Sequence, residues 1–402
     1  MLILTVTAAF AAVILFLRGG LYKLPQNGSA NGGRADAPGG PGKTFSIIVS
    51  ARNEAENLPA CLDSLLSQDM PVGRYEVAIA DDRSADATPQ ILREAAAKHP
   101  NMRVVTITET PPGISPKKHA VTTAIAASKN EIIAFTDADC VVPPTWLSSL
   151  DKCFADGDAA MAQGITTYSF RPGMNRLFWG LQSVDFLSHG IIAAAAIAAD
   201  LPINSNANNL AFRRSVFEAI GGYDANAEVV PGDDDQLLQR VWAYGKNLRK
   251  SGAVDKDSVR PNRIVFMTDP AGAVETAPTP TVAMLFEQRR RWGAVTVHYG
   301  ARQIALLSAV FAFYLTIAAT AVISIFSPAV YLPIFLSLML VKLTGELVLM
   351  IPGSRIFQKK HLRKYIVPAS IIQLPVTLAS VIFGVFGGFK WKGRKSGRTV
   401  GN

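Results

Sequence analysis

Residues 131–139 read EIIAFTDAD, and this stretch decides the fold class. Glu131–Thr136 is a short apolar run, suited to a strand buried on both faces. It runs directly into two acids, Asp137 and Asp139. The same pattern recurs upstream in Phe45–Ser50 (FSIIVS), Tyr75–Ala80 (YEVAIA) and Met102–Ile107. Apolar spacing predicts helices over Glu56–Gln68, Thr88–His99 and His119–Ser128. Strands alternating with helices imply an α/β domain with parallel pairing and right-handed crossovers. In such sheets, ligands bind at the carboxyl ends of strands. Two of these strands end in paired acids, at Asp81-Asp82 and at Asp137-Ala138-Asp139.

Composition narrows the class further. The 402 residues are 49% hydrophobic and only 18% charged, against about 25% charged in a typical soluble domain. That apolar content excludes disorder over most of the chain. Three cysteines are too few, and odd in number, for a disulfide scaffold, and no Cys/His spacing matches a zinc site. The net charge of +9 does not read as nucleic-acid binding, because the basic residues gather beside apolar segments. Arg18 and Lys23, Arg289–Arg291, Lys359–Lys364 and Lys390–Lys395 are such flanks, the signature of membrane topology.

Residues 1–24 therefore read as an N-terminal transmembrane anchor with Arg18 and Lys23 on the cytoplasmic side, and Gly-rich residues 25–43 as a flexible linker. Residues 44–300 form the α/β domain, and 301–402 a C-terminal membrane region. Within that region Gln303–Phe326 and Ala329–Ile351 each suffice for a span. Tyr365–Phe389 is a third apolar stretch, with Pro368, Pro375 and several glycines. A third full span places the basic tail outside. A re-entrant or interfacial final segment keeps it in the cytoplasm, which positive-inside favours.

Each acidic pair has a structural and a functional reading. Asp81-Asp82 suits an Asx turn and helix cap, or hydrogen bonding to a base or ribose. Asp137 and Asp139 are either turn residues or a site for Mg²⁺ or Mn²⁺ shared with a substrate diphosphate. Asp233-Asp234-Asp235 precedes a helical stretch. One acid satisfies a helix dipole, but three adjacent carboxylates repel each other and raise a pKa toward that of a general base. Lys117 or Lys118 can reach a phosphate or form a solvated pair. Gln288, Arg291 and Trp292, after the apolar helix Thr281–Phe286, form either a juxtamembrane cluster or a stacking and diphosphate-binding platform. The Ala-rich segment Phe178–Ile203 is an acceptor wall or a buried helix, with Asp185 and His189 as a local pair on one face.

Together these pieces resemble membrane-bound members of glycosyltransferase family 2, a group that includes polysaccharide synthases and ceramide glucosyltransferases. The matching stretches are Val49–Glu54, Asp81–Ser84, Lys117–Ala120, Thr136–Asp139, Asn208–Arg214, Gly232–Asp235 and Q-x-x-R-W at 288–292. The resemblance implies a GT-A (Rossmann-like) catalytic domain and a nucleotide-sugar donor, frequently UDP-linked. By position, Asp82 would hold the base, with Asp81 beside it. Asp137 would face ribose or diphosphate, and Asp139 would bind Mn²⁺ or Mg²⁺ with Asp137. Asp234 would be the catalytic base, with Asp233 or Asp235 as alternatives. Lys117, Gln288, Arg291 and Trp292 would close over donor and acceptor. Two positions depart from the pattern, Pro116 and Ala207, where glycine is common in the family.

The implied reaction is inverting transfer of one sugar to a lipid or other membrane-embedded acceptor, by a multi-pass protein whose catalytic domain faces the cytoplasm. The alternatives are a processive polysaccharide synthase and, in another class, a membrane scaffold or transporter with an inactive catalytic domain.

Overall fold

The computed structural model describes residues 1–25, 42–155, 159–224, 232–251, 263–296, 299–386, 389–391 and 394–396. Most of the expected linker lies outside the described residues. The chain folds as two compact units: Leu24–Arg171 with Asp200–Ala277, and Met1–Lys23 with Pro172–Ala199 and Pro278–Asn402. Residues 172–199 and 278–300, which the sequence reading places in the 44–300 domain, pack in the second of these.

In chain order the strands are β1 (Phe45–Ala51), β2 (Tyr75–Asp82), β3 (Met102–Ile107), β4 (Ile132–Phe135), β5 (Cys140–Val141), β6 (Ala159–Gly164), β7 (Thr166–Tyr168), β8 (Leu210–Arg213), β9 (Arg263–Met267), β10 (Val274–Thr276), β11 (Phe389–Trp391) and β12 (Arg394–Ser396). The helices are α1 (Leu2–Tyr22), α2 (Leu58–Leu66), α3 (Thr88–Lys98), α4 (Pro116–Ala126), α5 (Trp146–Phe154), α6 (Arg176–Ala198), α7 (Arg214–Ala219), α8 (Asp233–Lys250), α9 (Val282–Val295), α10 (Ala301–Phe326), α11 (Pro328–Ile356) and α12 (Ile366–Phe386).

The first unit is built on a seven-stranded sheet of order β3-β2-β1-β4-β8-β6-β9. The β3-β2-β1-β4 half is parallel, whereas β8 runs antiparallel to both β4 and β6. Apolar residues cover both faces, as the unalternating runs predict. Ile47, Val49, Val77 and Ile79 pack with residues of α2 and α5. Ile48, Ala78 and Ala80 pack with residues of α4 and α8. The order 3-2-1-4 means that the chain changes sides of β1 after β3. A crevice opens at such a switch point, at the carboxyl ends of β1 and β4. Smaller strands β5, β10 and β7 form a second sheet, whose pairing ties Cys140 to Thr276.

The second unit is helical. Among the described residues, five helical stretches are long and apolar enough to cross a membrane: Leu2–Tyr22, Arg176–Ala198, Ala301–Phe326, Pro328–Ile356 and Lys360–Val385. Large apolar side chains on α1, α10, α11 and α12 are exposed, among them Leu4, Phe326, Leu340 and Phe383. The helices meet at glycines. A Cβ on Gly20 would lie 2.0 Å from Ala195 O, so α1 and α6 touch backbone to backbone. The last apolar stretch is one unbroken 21-residue helix, α12, with Pro375 inside it, rather than a helix broken at its prolines.

Candidate active site

Two strand ends and one helix start of the first unit carry the expected acids. β2 ends in Asp81 and Asp82, both buried. Arg83 follows with φ at 54°, and Asn53 after β1 has φ at 52°. Non-glycine residues adopt this left-handed backbone rarely, and it recurs at functional loops. Here it turns Arg83 back so that its Nε and Nη2 donate to Asp82 Oδ1 at 2.8 and 2.7 Å. Arg52 Nη1 lies 3.8 Å from Asp82 Oδ2 and donates to Asp82 O at 2.8 Å. Asp81 Oδ1 accepts from Ser84 N at 3.2 Å. The two loops are one hydrogen-bonded frame. Ser84 Oγ accepts from Asn53 N at 3.0 Å, and Asn53 Oδ1 accepts from Ala85 N at 2.8 Å. Asp86 accepts from Ala55 N and Thr88 N, and these bonds hold its carboxyl below the usual range against the opposing effect of desolvation.

After β4 the chain turns through Asp137, which is half-buried, buried Ala138 and exposed Asp139. Lys117 sits in the first turn of α4. Pro116 occupies the first position of that helix, where a missing N–H costs nothing. Lys117 Nζ lies 3.2 Å from Asp137 Oδ1 and 3.7 Å from Asp233 Oδ2. Desolvation alone would lower this ammonium's pKa, but Asp137, Asp233 and Asp234 outweigh it and push it up.

Gly232, with φ at 76°, starts α8, and the three acids fill its first turn. They divide their tasks. Asp233 faces Lys117. Asp234 Oδ2 accepts from Ala207 N at 2.9 Å, and its Oδ1 accepts from Asp235 N at 2.9 Å. Asp235 Oδ1 accepts from Ser205 N. Burial, then repulsion from Asp233, raises Asp234 to about 6, against opposing contributions from Lys117 and two backbone N–H groups. Lys118, buried beside this turn, donates to Gln236 Oε1 at 2.8 Å. Burial lowers its pKa to about 8.

Sequence reasoning did not assign roles to Cys140, Asn208, Arg52 or Arg83. Asn208 Nδ2 lies 2.8 Å from Cys140 Sγ, which lies 3.6 Å from Asp139 Oδ1. Asn208 O accepts from Thr136 Oγ1 at 2.7 Å, so the Asn-Asn turn braces the Asp137–Asp139 loop. The signal was local, since Cys140 adjoins Asp139 in sequence. Burial pushes the thiols of Cys140 and Cys61 up. Asp137 and Asp139 offer only hard oxygens, and among the described residues no three His, Cys, Asp or Glu side chains converge on one point. That donor set fits Mg²⁺ or Mn²⁺ held by one or two carboxylates with substrate phosphate oxygens completing the shell.

Gln288, Arg291 and Trp292 lie on α9 of the second unit. Trp292 is packed rather than presented as an open platform. Its ring has the Arg289 guanidinium 4.0 Å from its centroid, His189 edge-on at 5.3 Å and Phe186 at 6.0 Å. Asp185, expected to pair locally with His189, also accepts from Arg289 Nε at 2.8 Å.

Comparison with known proteins is consistent with this geometry. Residues 46–221 match the profile described as "Glycosyl transferase family 2". Glycosyltransferase AglE of Haloferax volcanii is 33% identical over 208 residues, covering 50% of this chain and 62% of that protein. A beta-monoglucosyldiacylglycerol synthase of Trichormus variabilis is 36% identical over 97 residues, covering 24% of this chain and 20% of that one. The chain thus spans less than two thirds of these relatives' lengths. The mannosyltransferase PcManGT of Pyrobaculum calidifontis, solved with GDP-Man and Mn²⁺, superposes with a TM-score of 0.56 at 19% identity. The match covers 96% of this chain and 98% of that one, and it shows the GT-A type of fold. Over residues 46–221 the chain thus carries a domain similar to glycosyl transferase family 2.

Proposed function

We propose that the protein transfers a single sugar from a nucleotide-sugar donor to a lipid or other membrane-embedded acceptor, with inversion at the anomeric carbon. The observation that carries this reading is the cluster at the strand ends: Lys117 against Asp137 and Asp233, with Asp234 lifted to about 6 beside them. An acceptor hydroxyl titrates far above neutrality, so its proton must pass to a base as it attacks. Asp234 is mostly ionised at pH 7, yet basic enough to take that proton. Lys117 would meet donor phosphate, which exchanges with Asp137 as its anionic partner. Asp82, held by Arg83, would face the nucleotide base from the adjoining loop. Asp139 with Asp137 would hold the divalent cation, whose contribution when bound is to offset charge developing on the leaving diphosphate. One base and one departing phosphate on opposite faces of the sugar give inversion.

The acceptor reading rests on the helical unit and on relatives named for lipid glycosylation, the beta-monoglucosyldiacylglycerol synthases. Connectivity refines the membrane reading. Strands β6 and β8, which flank α6 in sequence, pair in one sheet. A sheet cannot be divided by a bilayer, so α6 is not a single crossing despite its length. With α1, α10 and α11 crossing, the sheet-bearing unit is cytoplasmic, on the side of Arg18 and Lys23.

The test is Mn²⁺-dependent nucleotide release by full-length protein in native lipid from a panel of UDP-, GDP- and dTDP-sugars, with Asp234→Asn in parallel. The reading expects release from one donor class, lost in the variant. Release from none, or equal release by both proteins, would overturn it. A product ladder of repeating sugars would replace single transfer by processive synthesis.

A further inference from the structure

The helix that carries Gln288 and Trp292 is wired into the apolar helices by a chain of polar side chains, all within the helical unit. Lys342 on α11 has no exposed surface. An ammonium among apolar helices is costly unless each proton is met. Here Lys342 donates to Glu346, to Ser370 O at 2.7 Å and to Ser370 Oγ at 3.0 Å, with Gln373 Oε1 at 3.4 Å. Tyr314 Oη on α10 lies 3.0 Å from Glu346 Oε1 and 3.3 Å from Gln373 Oε1. These two neighbours hold the oxygen end of the Gln373 amide. The Gln373 side chain also bears on the carboxylate of Asp185 on α6. Asp185 in turn holds Arg289, which is 6% exposed. Arg289 Nη1 donates to Gln288 Oε1 at 2.8 Å, and its guanidinium covers the Trp292 ring. Backbone contact reinforces the link between α9 and α12. A Cβ on Gly293 would lie 2.5 Å from Ser380 O, and one on Gly384 would lie 2.6 Å from Arg290 O.

We infer that Asp185 and Gln373 are positioning residues for the reaction, setting Gln288 and Trp292 through Arg289, so that helices with a membrane-spanning character orient a catalytic motif. This rests on the transferase reading for its kinetic consequence and on geometry alone for its structural one. A chain serving only helix packing would affect stability and nothing else. A positioning chain affects turnover with the fold intact, because small misplacements of reacting groups cost large factors in rate.

The experiment uses full-length protein in native-lipid discs and the variants Asp185→Asn, Gln373→Leu and both together. Hydrogen exchange across residues 282–295 reads the geometry without any donor. Exchange there is expected to rise about tenfold in Asp185→Asn, with strands β1–β4 unchanged. In the active protein kcat is expected to fall about 10- to 100-fold, with donor KM and Tm nearly constant. The double variant should be no worse than Asp185→Asn, since both changes cut one chain. Should Asp185→Asn fail to fold, Gln373→Leu carries the same test. Unchanged α9 exchange, kinetic losses that multiply, or a kcat loss matched by a fall in Tm would overturn the inference. Faster α9 exchange in a protein that releases nucleotide from no donor would support the geometric link and sink the transferase reading.

Discussion

Replacing Asp233 by Asn should move the acid limb of the pH–rate profile downward without abolishing activity. The usual carboxyl value is 3.8, and Asp234 stands at about 6. Burial is the larger cause and the charge of Asp233 the second, while Lys117 pulls the other way. With a midpoint near 6, roughly nine tenths of Asp234 is ionised at pH 7 and only about one tenth at pH 5. Activity that needs the ionised base is therefore lost as pH falls through about 6, by about tenfold for each further unit. Asp233→Asn removes the like charge, leaving burial against Lys117, and should lower the midpoint by about one unit, or about 1.4 kcal/mol. Lys117→Met removes the opposing cation and should raise it by a similar amount. The assay is kcat/KM from pH 4.5 to 9 at saturating Mn²⁺, which reports the free protein's groups. Midpoints, not amplitudes, are compared, because Lys117 also faces donor phosphate. A wild-type midpoint near 4, or variants that move it in the same direction, would refute the assignment. Loss of all activity in Asp233→Asn, with Asp234→Asn active, would make Asp233 the base.

Gly232→Ala places a side chain on a left-handed residue at the start of α8 and should cost about 1–2 kcal/mol, read as a lower Tm. Asp139→Asn should raise the Mn²⁺ concentration needed for half-maximal nucleotide release by at least about tenfold while leaving Tm unchanged; an unshifted Mn²⁺ titration would remove it from the metal site. Gly293→Leu forces a side chain into the α12 backbone and should unfold or displace α9, seen as lost protection of residues 282–295. Lys118→Met should abolish a pH-dependent contribution to stability. The wild-type lysine's depressed pKa, about 8 against 10.5, makes stability rise between those values as the folded state loses its proton first.

The parallel half of the sheet was legible because its signal is strong and local. Met102–Ile107 was read with its observed bounds, and FSIIVS and YEVAIA fall within β1 and β2. β1 and β2 are buried on both faces and have no polar alternation to confuse their length, while the edge strand β3 is partly exposed. Strands β5, β7 and β10 span two or three residues each and are set by pairing across the chain, which no local window contains. The acids were legible as strand-end pairs, but their partners were not. Lys117 meets Asp233 from a position 116 residues away, and Asn208 meets Cys140 across 68. Nor does spacing reveal that Asp185 also holds Arg289, 104 residues on, because only tertiary packing supplies that partner. Gly232 was visible as a residue but not as a left-handed helix start, since glycine is compatible with many turns.

The account stands most directly on what becomes of the donor's sugar. Full-length protein in native lipid should be given Mn²⁺ and the donor it cleaves, labelled in the sugar, and the organic extract examined by mass and anomeric configuration. The account predicts one added sugar on a lipophilic acceptor, linked with configuration opposite to that of the donor, and none with Asp234→Asn. Label confined to the aqueous phase, retained configuration, or an unaffected variant would contradict it.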